Sequence, residues 1–200
     1  MKIKELRKIY PHLASIVRAL LKLIKIYILL LLIMNILVTY GSQTGYCEGI
    51  SKMIYQKIHY FHNKNIKCLN DVNIDELCNN DINIILISTT GDGEFPENSR
   101  TFYKKFRKKK KLKKFNYILC GFGSTDYNNF CHTSKCLKRY LDRYECINLL
   151  EIDNINNEND EEVEKNIKKI INFICSENQK RKQNVLNNIW NAFGNKLKIY

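Results

Sequence analysis

The feature that most constrains the fold of this chain is a regular alternation of strand-like and helix-like segments after residue 34. The predicted strands are 35–40, 65–71, 82–89, 115–123 and 146–152, and the predicted helices are 46–62, 99–111, 133–143 and 159–175. The helix signal between the second and third strands is weak. Such alternation predicts a parallel sheet with helices on both faces, because right-handed crossovers carry the chain from strand to strand.

We therefore predict an α/β fold with a doubly wound, five-stranded parallel sheet in the order 2-1-3-4-5. Sheets of this kind bind ligands outside the carboxyl ends of their strands, where the direction of winding reverses. In this order the loops after strands one, three and four meet at that point, which are residues 41–48, 89–99 and 121–131. These loops are rich in glycine, hydroxyl and acidic residues. The topology thus predicts one site built from three loops.

The first of these loops lies in the stretch NILVTYGSQTGYCEGIS, residues 35–51. A strand, a turn and a helix start form an anion site, because free backbone N–H groups and the positive end of the helix dipole converge there. The glycines fit neither G-x-x-x-x-G-K-[ST] nor G-x-G-x-x-G. Ser42 and Thr44 offer hydroxyls, while Gly41 and Gly45 let the backbone approach a phosphate closely. The alternative is an ordinary strand-to-helix turn with Thr44 as N-cap.

Three segments taken together, YGSQTGYCEGI, STTGDGEFPENS and GFGSTDYNNFCHTSKCLKRYLDR, resemble the FMN-binding domain of the diflavin reductases. The resemblance spans residues 34–176 and is nearest to the methionine synthase reductase and cytochrome reductase type. It implies a flavodoxin-like fold with FMN as cofactor, the phosphate in the first loop and Tyr127 stacked on the isoalloxazine ring. The FMN-binding residues that it implies are Ser42, Gln43, Thr44, Gly45, Tyr46, Cys47, Thr89, Thr90, Gly91, Gly93, Gly123, Tyr127, Asn128 and Phe130.

Several positions depart from the family pattern. Tyr46 replaces a small hydroxyl residue of the phosphate loop, Ser124 replaces an Asp or Asn, and Phe95 replaces a proline of the second loop. Thr90 stands where some relatives place a second stacking aromatic residue, and Phe130 is also typical of a core residue. These departures leave a second hypothesis open, in which the chain is a flavin-free interaction module with the same fold.

The resemblance implies an electron carrier rather than a self-sufficient enzyme, with no catalytic residue of its own. FMN would accept electrons from a separate NADPH- and FAD-dependent reductase module and pass them to a redox acceptor protein. We expect no room for such a module after residue 176. A reductase of quinones or other small molecules is the weaker alternative. Acidic residues near the site would steer a basic partner: Asp92, Glu94, Glu97, Asp126, Asp153, Glu158, Asp160 and Glu161.

Charge and cysteine content exclude other classes of function. The net charge is +13, and residues 99–115 contain ten basic and no acidic side chains. Because its most basic part, residues 104–114, lacks interleaved aromatic residues beyond Phe106 and any groove-reading motif, the stretch predicts a solvated basic face rather than a nucleic-acid site. The eight cysteines form no C-x-x-C pair, which indicates reduced thiols in a reducing compartment.

No metal site is predicted. Cys131, His132 and Cys136 lack the second pair of ligands that a structural zinc site needs. His59 and His62 share a face of a predicted helix and offer no better ligand set.

The two ends of the chain lie outside the predicted flavin domain. Residues 1–33 form an apolar helix on which Arg18, Lys22 and Lys25 make one basic stripe. The lysine-free run that follows is well below the ~20 residues of a spanning helix. We expect an interfacial membrane anchor that leaves the domain on the cytoplasmic side, in preference to a span or a cleaved signal peptide. Translation from Met34 is a further possibility. Residues 177–200 read as a polar linker and tail.

Overall fold

The computed structural model describes residues 11–58 and 62–197. Its helices are α1 (Pro11–Leu32), α2 (Tyr46–Lys57), α3 (Glu97–Lys108), α4 (His132–Arg143) and α5 (Asp160–Leu197). Its strands are β1 (Asn35–Gly41), β2 (Asn63–Cys68), β3 (Ile82–Ser88), β4 (Asn116–Gly123), β5 (Ile147–Asn148) and β6 (Ile155–Asn156). The chain divides into two compact units. One comprises residues 34–177, and the other comprises the residues before and after them.

The sheet of the larger unit is parallel and follows the order β2-β1-β3-β4-β5, with β6 also paired to β4. The predicted order 2-1-3-4-5 is therefore confirmed. In the central register Val38 of β1 lies beside Ile84 of β3, which in turn lies beside Ile118 of β4. All three side chains are fully buried, as expected for strands covered on both faces.

Helices cover both faces of this sheet and enclose one apolar cluster on each. On one face α2 and the first part of α5 bury residues such as Ile54 and Ile170 against the strands. On the other face α3 and α4 bury residues such as Phe106 and Leu141. The doubly wound arrangement follows from these two layers, and it leaves the carboxyl ends of the strands open at one edge.

Between β2 and β3 the weak helix signal corresponds to two short 3-10 helices, Leu69–Asp71 and Ile74–Asn79. They bury Leu69, Ile74 and Leu77 in the second cluster. The segment covers the sheet with side chains spaced for a tighter helix, which explains why no α-helical period is visible there.

The predicted fifth strand, residues 146–152, is wrong in its extent. Only β5 and β6, two residues each, pair with β4. The Leu149 N–H still donates to the Tyr117 carbonyl at 2.9 Å, and the residues from 150 to 154 leave the ladder. Leu149, Leu150 and Ile152 instead pack their side chains against the first apolar cluster. An apolar run predicts burial, but burial here comes from packing of a loop rather than from strand pairing.

The second unit contains α1 and the later part of α5, in which Arg181 Nε donates to the Leu31 carbonyl at 2.7 Å. Large apolar side chains of α1 are exposed from Ile16 to Leu31. Within the described ranges, no helix is long and apolar enough to cross a membrane. The predicted linker at 177–200 is helical as far as Leu197, since a polar sequence without proline continues a helix as readily as it forms a coil.

Two further expectations concern histidines. His59 lies outside the described residues, so the structure does not test whether His59 and His62 share a helix face. His62 follows the end of α2, is buried, and its Nδ1 accepts a hydrogen bond from the Met34 N–H at 3.4 Å. This contact places His62 beneath the start of β1, where it packs as a core residue.

Candidate functional site

A cavity of about 480 Å³ opens at the carboxyl ends of β1, β3 and β4. The three loops that the topology predicts form most of its wall, and a fourth segment after β6 completes it. The lining residues are Gln43, Thr44, Tyr46, Ser88, Thr89, Thr90, Gly91, Phe122, Gly123, Ser124, Tyr127, Asn129, Phe130, Cys131, Asn157 and Glu158. None of these side chains is a lysine or an arginine.

The first loop is shaped by Ser42 rather than by Thr44. The Ser42 Oγ accepts a hydrogen bond from the Cys47 N–H at 3.1 Å, and the Ser42 N–H donates to Asn98 Oδ1 at 2.8 Å. Helix α2 is capped by Gly45, whose φ of 84° lies in the left-handed region, without any side-chain cap. The alternative in which Thr44 caps the helix is therefore wrong. The Thr44 hydroxyl is exposed and faces no protein partner among the described residues.

The same loop presents a row of backbone donors. Within the described chain, the N–H groups of Gln43, Thr44, Gly45 and Tyr46 have no protein acceptor. They lie just before α2 and at its first residue, where the helix dipole adds positive potential. A row of unpaired N–H groups at a helix N-terminus beside the cavity fits an anionic group such as phosphate.

Tyr46 links this loop to the distant segment after β6. Its hydroxyl donates to the Asn157 carbonyl at 3.1 Å. Its ring packs edge-to-face on Phe122, with centroids 5.9 Å apart. Burial raises the pKa of Tyr46 above its usual value, so the hydroxyl stays protonated and keeps donating. The replacement of a small hydroxyl residue at this position therefore supplies a wall of the cavity.

The second loop is closed on itself. Thr90 and Glu94 exchange two backbone hydrogen bonds, and the Thr90 hydroxyl also donates to the Glu94 carbonyl. Gly91 and Gly93 supply the positive φ values of 50° and 95° that this tight turn requires. Phe95, the second departure, stacks on Tyr103 with centroids 3.8 Å apart. It belongs to the apolar core beneath the loop and is not part of the cavity wall.

The third loop carries the exposed aromatic residue at the rim. Tyr127 is 66% exposed and lines the cavity, as does the half-buried Phe130. Asn129 ties this loop to the second one, because its Nδ2 donates to the Asp92 carboxylate at 2.7 Å and to the Asp92 carbonyl. Asn129 thus holds two walls of the cavity together, although only its neighbour Asn128 was among the expected residues.

Most of the expected residues line the cavity: Gln43, Thr44, Tyr46, Thr89, Thr90, Gly91, Gly123, Tyr127 and Phe130. Five do not: Ser42, Gly45, Cys47, Gly93 and Asn128. Ser42 and Cys47 are buried behind the first loop, and Gly93 packs against Asn129 and His132. Their part is to shape the loops rather than to line the wall.

Seven lining residues were not predicted: Ser88, Phe122, Ser124, Asn129, Cys131, Asn157 and Glu158. Ser88, Phe122 and Asn129 flank predicted residues, so a wider window around each motif would have included them. Asn157 and Glu158 follow the misassigned fifth strand and carry no local motif. Their place in the wall depends on β6, which the sequence pattern did not reveal.

Titratable groups around the cavity are acidic or inert. Glu158 lines the wall, while Glu94 is paired with Arg100 at 2.9 Å. Burial raises the pKa of the Cys131 thiol to about 12, so this lining cysteine stays protonated. Across the part of the chain that the structure describes, no three side chains of metal-ligating type form a cluster.

Comparisons with known proteins agree with this geometry. The model of the family described as flavodoxin matches residues 38–170. Pyruvate dehydrogenase [NADP(+)] of Euglena gracilis is 32% identical over 107 residues, which cover 50% of this chain and 6% of that protein. NADPH-dependent diflavin oxidoreductase 1 of Gibberella zeae is 33% identical over 116 residues, covering 54% of this chain and 19% of that protein.

A solved structure shows the same fold. Oxidised flavodoxin 2 of Bacillus cereus superposes with a TM-score of 0.59 and 24% identity, covering 72% of this chain and 99% of that one. The two relatives named above are much longer than this chain, which matches 6% and 19% of their lengths.

Proposed function

Because this chain belongs to the flavodoxin family, whose fold and diflavin relatives imply FMN as cofactor, we propose that its larger unit carries electrons from a separate NADPH- and FAD-dependent reductase module to an acceptor protein. The supporting observation is a single cavity at the carboxyl ends of β1, β3 and β4. It combines an unpaired row of backbone donors with an exposed tyrosine at the rim.

The residues present suit FMN in their chemistry. The free N–H groups of residues 43–46 and the Thr44 hydroxyl would hold the phosphate, in place of the lysine that other phosphate sites use. Tyr127 would stack on the isoalloxazine ring, since its ring is exposed at the rim. Thr89, Thr90 and Gly91 would lie along the other side of the cavity. In this proposal Ser42 and Cys47 position the loop and do not contact the cofactor.

When bound, FMN supplies one-electron and two-electron redox chemistry, which the side chains of this cavity do not offer. The chain supplies orientation and environment. Phe122 and Phe130 contribute apolar surface to the wall, while Glu158 places a carboxylate there. A nearby negative charge disfavours the addition of electrons, so it makes the reduced cofactor a stronger donor.

The reductase partner is supported by the name of one relative, an NADPH-dependent diflavin oxidoreductase, of which this chain matches a small part. The surface around the cavity offers carboxylates for docking. Asp126 and Glu97 are exposed and do not line the cavity, whereas Glu94 is already paired with Arg100. We therefore assign the docking charge first to Asp126 and Glu97, and not to Glu94.

A membrane surface completes the proposal as the place of action, with the larger unit on the cytoplasmic side. Helix α1 exposes large apolar side chains in succession, among them Leu20, Leu23 and Ile24. Such a helix lies in the interface of a bilayer when basic residues flank its apolar side chains. Arg18, Lys22 and Lys25 provide those charges.

Titration of the purified full chain with FMN tests the central proposal. Binding should quench the flavin fluorescence with one FMN per chain, because the cavity has room for one ring beside Tyr127. A flavin-free interaction module would leave the fluorescence unchanged at protein concentrations far above that of FMN. That outcome would remove the electron-carrier function and retain the fold alone.

Stopped-flow reduction by a diflavin-type reductase module tests the partner. Transfer should slow as salt is raised, since exposed charges are screened beyond ~10 Å at 0.1 M ionic strength. Neutralising Asp126 and Glu97, which are exposed and do not line the cavity, should slow association and leave the midpoint of the FMN titration unchanged. Reduction that responds to neither salt nor substitution would exclude the acidic docking surface, and reduction by NADPH alone would exclude a separate reductase.

Flotation of the full chain with anionic vesicles tests the membrane contact. Replacing Leu20 and Ile24 together by aspartate should release the chain from the vesicles, because both side chains are exposed on α1. Replacing Lys165 and Lys168 on α5 by glutamine is the matched control for a general change of charge. Equal flotation of all three proteins would show that α1 does not hold the chain at a membrane.

A further inference from the structure

A second group of reactive side chains lies outside the cavity, on helix α4. His132, Cys136 and Arg139 are spaced three and four residues apart and share one face of the helix. The Cys136 Sγ lies 3.1 Å from His132 Nε2 and accepts a hydrogen bond from Arg139 Nη2 at 2.8 Å. The sulfur is thus held between an imidazole and a guanidinium group.

Other described cysteines make the opposite kind of contact. The Cys68 sulfur lies 3.0 Å from the Asn98 carbonyl, and the Cys78 sulfur lies 3.1 Å from the Lys113 carbonyl. A carbonyl only accepts, so these sulfurs must be protonated thiols that donate. Burial also raises the pKa of both thiols. The Cys136 sulfur, in contrast, is the acceptor from a permanent cation, which stabilises negative charge on it.

The position of Cys136 suits a small reagent. The residue is 6% exposed, while its partner Arg139 is exposed and His132 is half-buried. His132 also follows the third loop of the cavity and packs beside Gly93 of the second loop. The thiol itself is nearly covered, so only a reagent as small as a peroxide suits it, and it lies one side chain away from the loops that form the cavity.

We propose that Cys136 is a site of reversible oxidation by hydrogen peroxide, activated by Arg139 and His132. The sulfur attacks one oxygen of the peroxide, an S–O bond forms and the O–O bond breaks. The sulfur loses two electrons and becomes a sulfenic acid. The peroxide gains them and leaves as hydroxide, which takes up the proton that the thiol released and becomes water. A second thiol condenses with the sulfenic acid to form a mixed disulfide and releases water, and a third thiol then displaces the Cys136 thiol from that disulfide.

Labelling of the reduced full chain tests this proposal. The chain is treated with dilute hydrogen peroxide at pH 7 in the presence of dimedone, which traps sulfenic acids, and the labelled cysteines are identified by peptide mass spectrometry. Cys175 is the internal reference, because it is exposed and none of the described hydrogen bonds involves its sulfur. We expect Cys136 to react about tenfold faster than Cys175, since the thiolate is the nucleophile.

Variants separate activation from mere exposure. Arg139→Gln should lower the rate at Cys136 about tenfold, whereas Arg139→Lys, which keeps the charge, should retain most of it. Arg143→Gln removes an exposed cation from the same helix and should leave the rate unchanged. If Arg139→Gln does not fold, two measurements still test the proposal. They are the labelling rate in the Arg139→Lys variant and the ratio of the labelling rates at Cys136 and Cys175 in the unaltered chain.

Two results would overturn the proposal. One is faster labelling of Cys175 than of Cys136 in the unaltered chain, which would mean that exposure alone sets the rate. The other is a folded Arg139→Gln variant that reacts at the unaltered rate. Neither result bears on FMN binding, because none of the three residues lines the cavity.

Discussion

The Tyr46 hydroxyl donates a hydrogen bond to the Asn157 carbonyl at 3.1 Å, across 111 positions of sequence. This bond connects the loop with the free backbone donors to the segment that follows the last short strand. Tyr46 and Asn157 both line the cavity, so the bond joins two parts of its wall that are distant in sequence. The hydroxyl of one residue thus tethers the first loop to that segment.

Replacing Tyr46 by phenylalanine should remove that connection and keep the ring contact with Phe122. The free energy of unfolding should fall by about 0.5–1.5 kcal/mol, and FMN affinity should fall with it, because the first loop loses its tether. Urea unfolding and FMN titration measure the two effects. Tyr55→Phe on the same helix is the control, since no described hydrogen bond involves its hydroxyl. Equal behaviour of the two variants would contradict the role of the bond.

Thr44→Ala should weaken FMN and spare riboflavin, because the lost hydroxyl would face only the phosphate. A hydrogen bond to a charged group contributes about 1.5–3 kcal/mol, which predicts a loss of roughly 10- to 150-fold in FMN affinity. Stability should not change, since the Thr44 side chain is exposed and has no described protein partner. Fluorescence titrations with both ligands make the comparison. Equal losses for FMN and riboflavin would indicate that Thr44 shapes the loop instead.

Tyr127→Ala should weaken FMN and riboflavin alike, because stacking concerns the ring that both ligands share. Aromatic stacking contributes about 0.5–1.5 kcal/mol beyond the area it buries. The variant should fold normally, since the Tyr127 side chain is 66% exposed. Tyr127→Phe is the matched control and should bind both ligands almost as the unaltered chain does. Unchanged affinity in the alanine variant would place the isoalloxazine ring elsewhere in the cavity.

Two glycines four residues apart should respond to alanine in opposite directions. A Cβ on either Gly45 or Gly49 meets no atom within 4 Å, so space does not distinguish them. Gly49 lies within α2, and alanine there should stabilise the chain by about 0.5–1 kcal/mol. Gly45 has a φ of 84°, and alanine should cost about 1–2 kcal/mol. Thermal unfolding of both variants measures the two effects. An increase in stability for Gly45→Ala would contradict the left-handed cap.

Stability should fall steeply at alkaline pH. Burial raises the pKa of the Cys120 thiol and of the Cys131 thiol from 9.0 to about 12. Below pH 9 both thiols are protonated in the folded and unfolded states, so their contribution is complete. Between pH 9 and 12 only the unfolded chain ionises, and each thiol removes about 1.4 kcal/mol of stability per pH unit.

Urea unfolding under reducing conditions at several pH values measures this slope. Cys120→Ala should reduce the slope by the share of one thiol, because that group no longer ionises in the unfolded state. Cys175→Ala is the control. It should leave the slope unchanged, because Cys175 is exposed in the folded chain as well as in the unfolded chain. A free energy of unfolding that stays constant from pH 9 to 11 would contradict the burial of these thiols.

The fold was predictable where burial and strand pairing coincide. β1 and β3 are continuous apolar runs, and their buried side chains lie in the ladder that the pattern predicts. The run from Cys146 to Ile152 looks the same in sequence, yet its side chains are buried by a loop. Hydrophobicity reports that a segment is covered, but it does not report whether the backbone pairs. The same uncertainty explains why Asn157 and Glu158, which depend on β6, could not be placed.

Within the cavity, sequence motifs identified the loops better than the roles of single residues. Thr44 was considered as a cap, but Ser42 accepts the bond from the first turn, because it is the residue whose hydroxyl is buried beneath the loop. Tyr46 and Phe95 looked like defects of the site. Their rings pack on Phe122 and Tyr103, so they supply contacts that depend on distant residues and leave no local signal.

The interrupted fifth strand has a consequence for how copies of this chain meet one another. An uninterrupted outer strand would offer a ladder of free backbone groups that templates intermolecular pairing and aggregation. Here β5 and β6 pair with β4 in two separate dipeptides, and the loop between them breaks that ladder. This margin of the sheet therefore discourages edge-to-edge growth between copies of the chain.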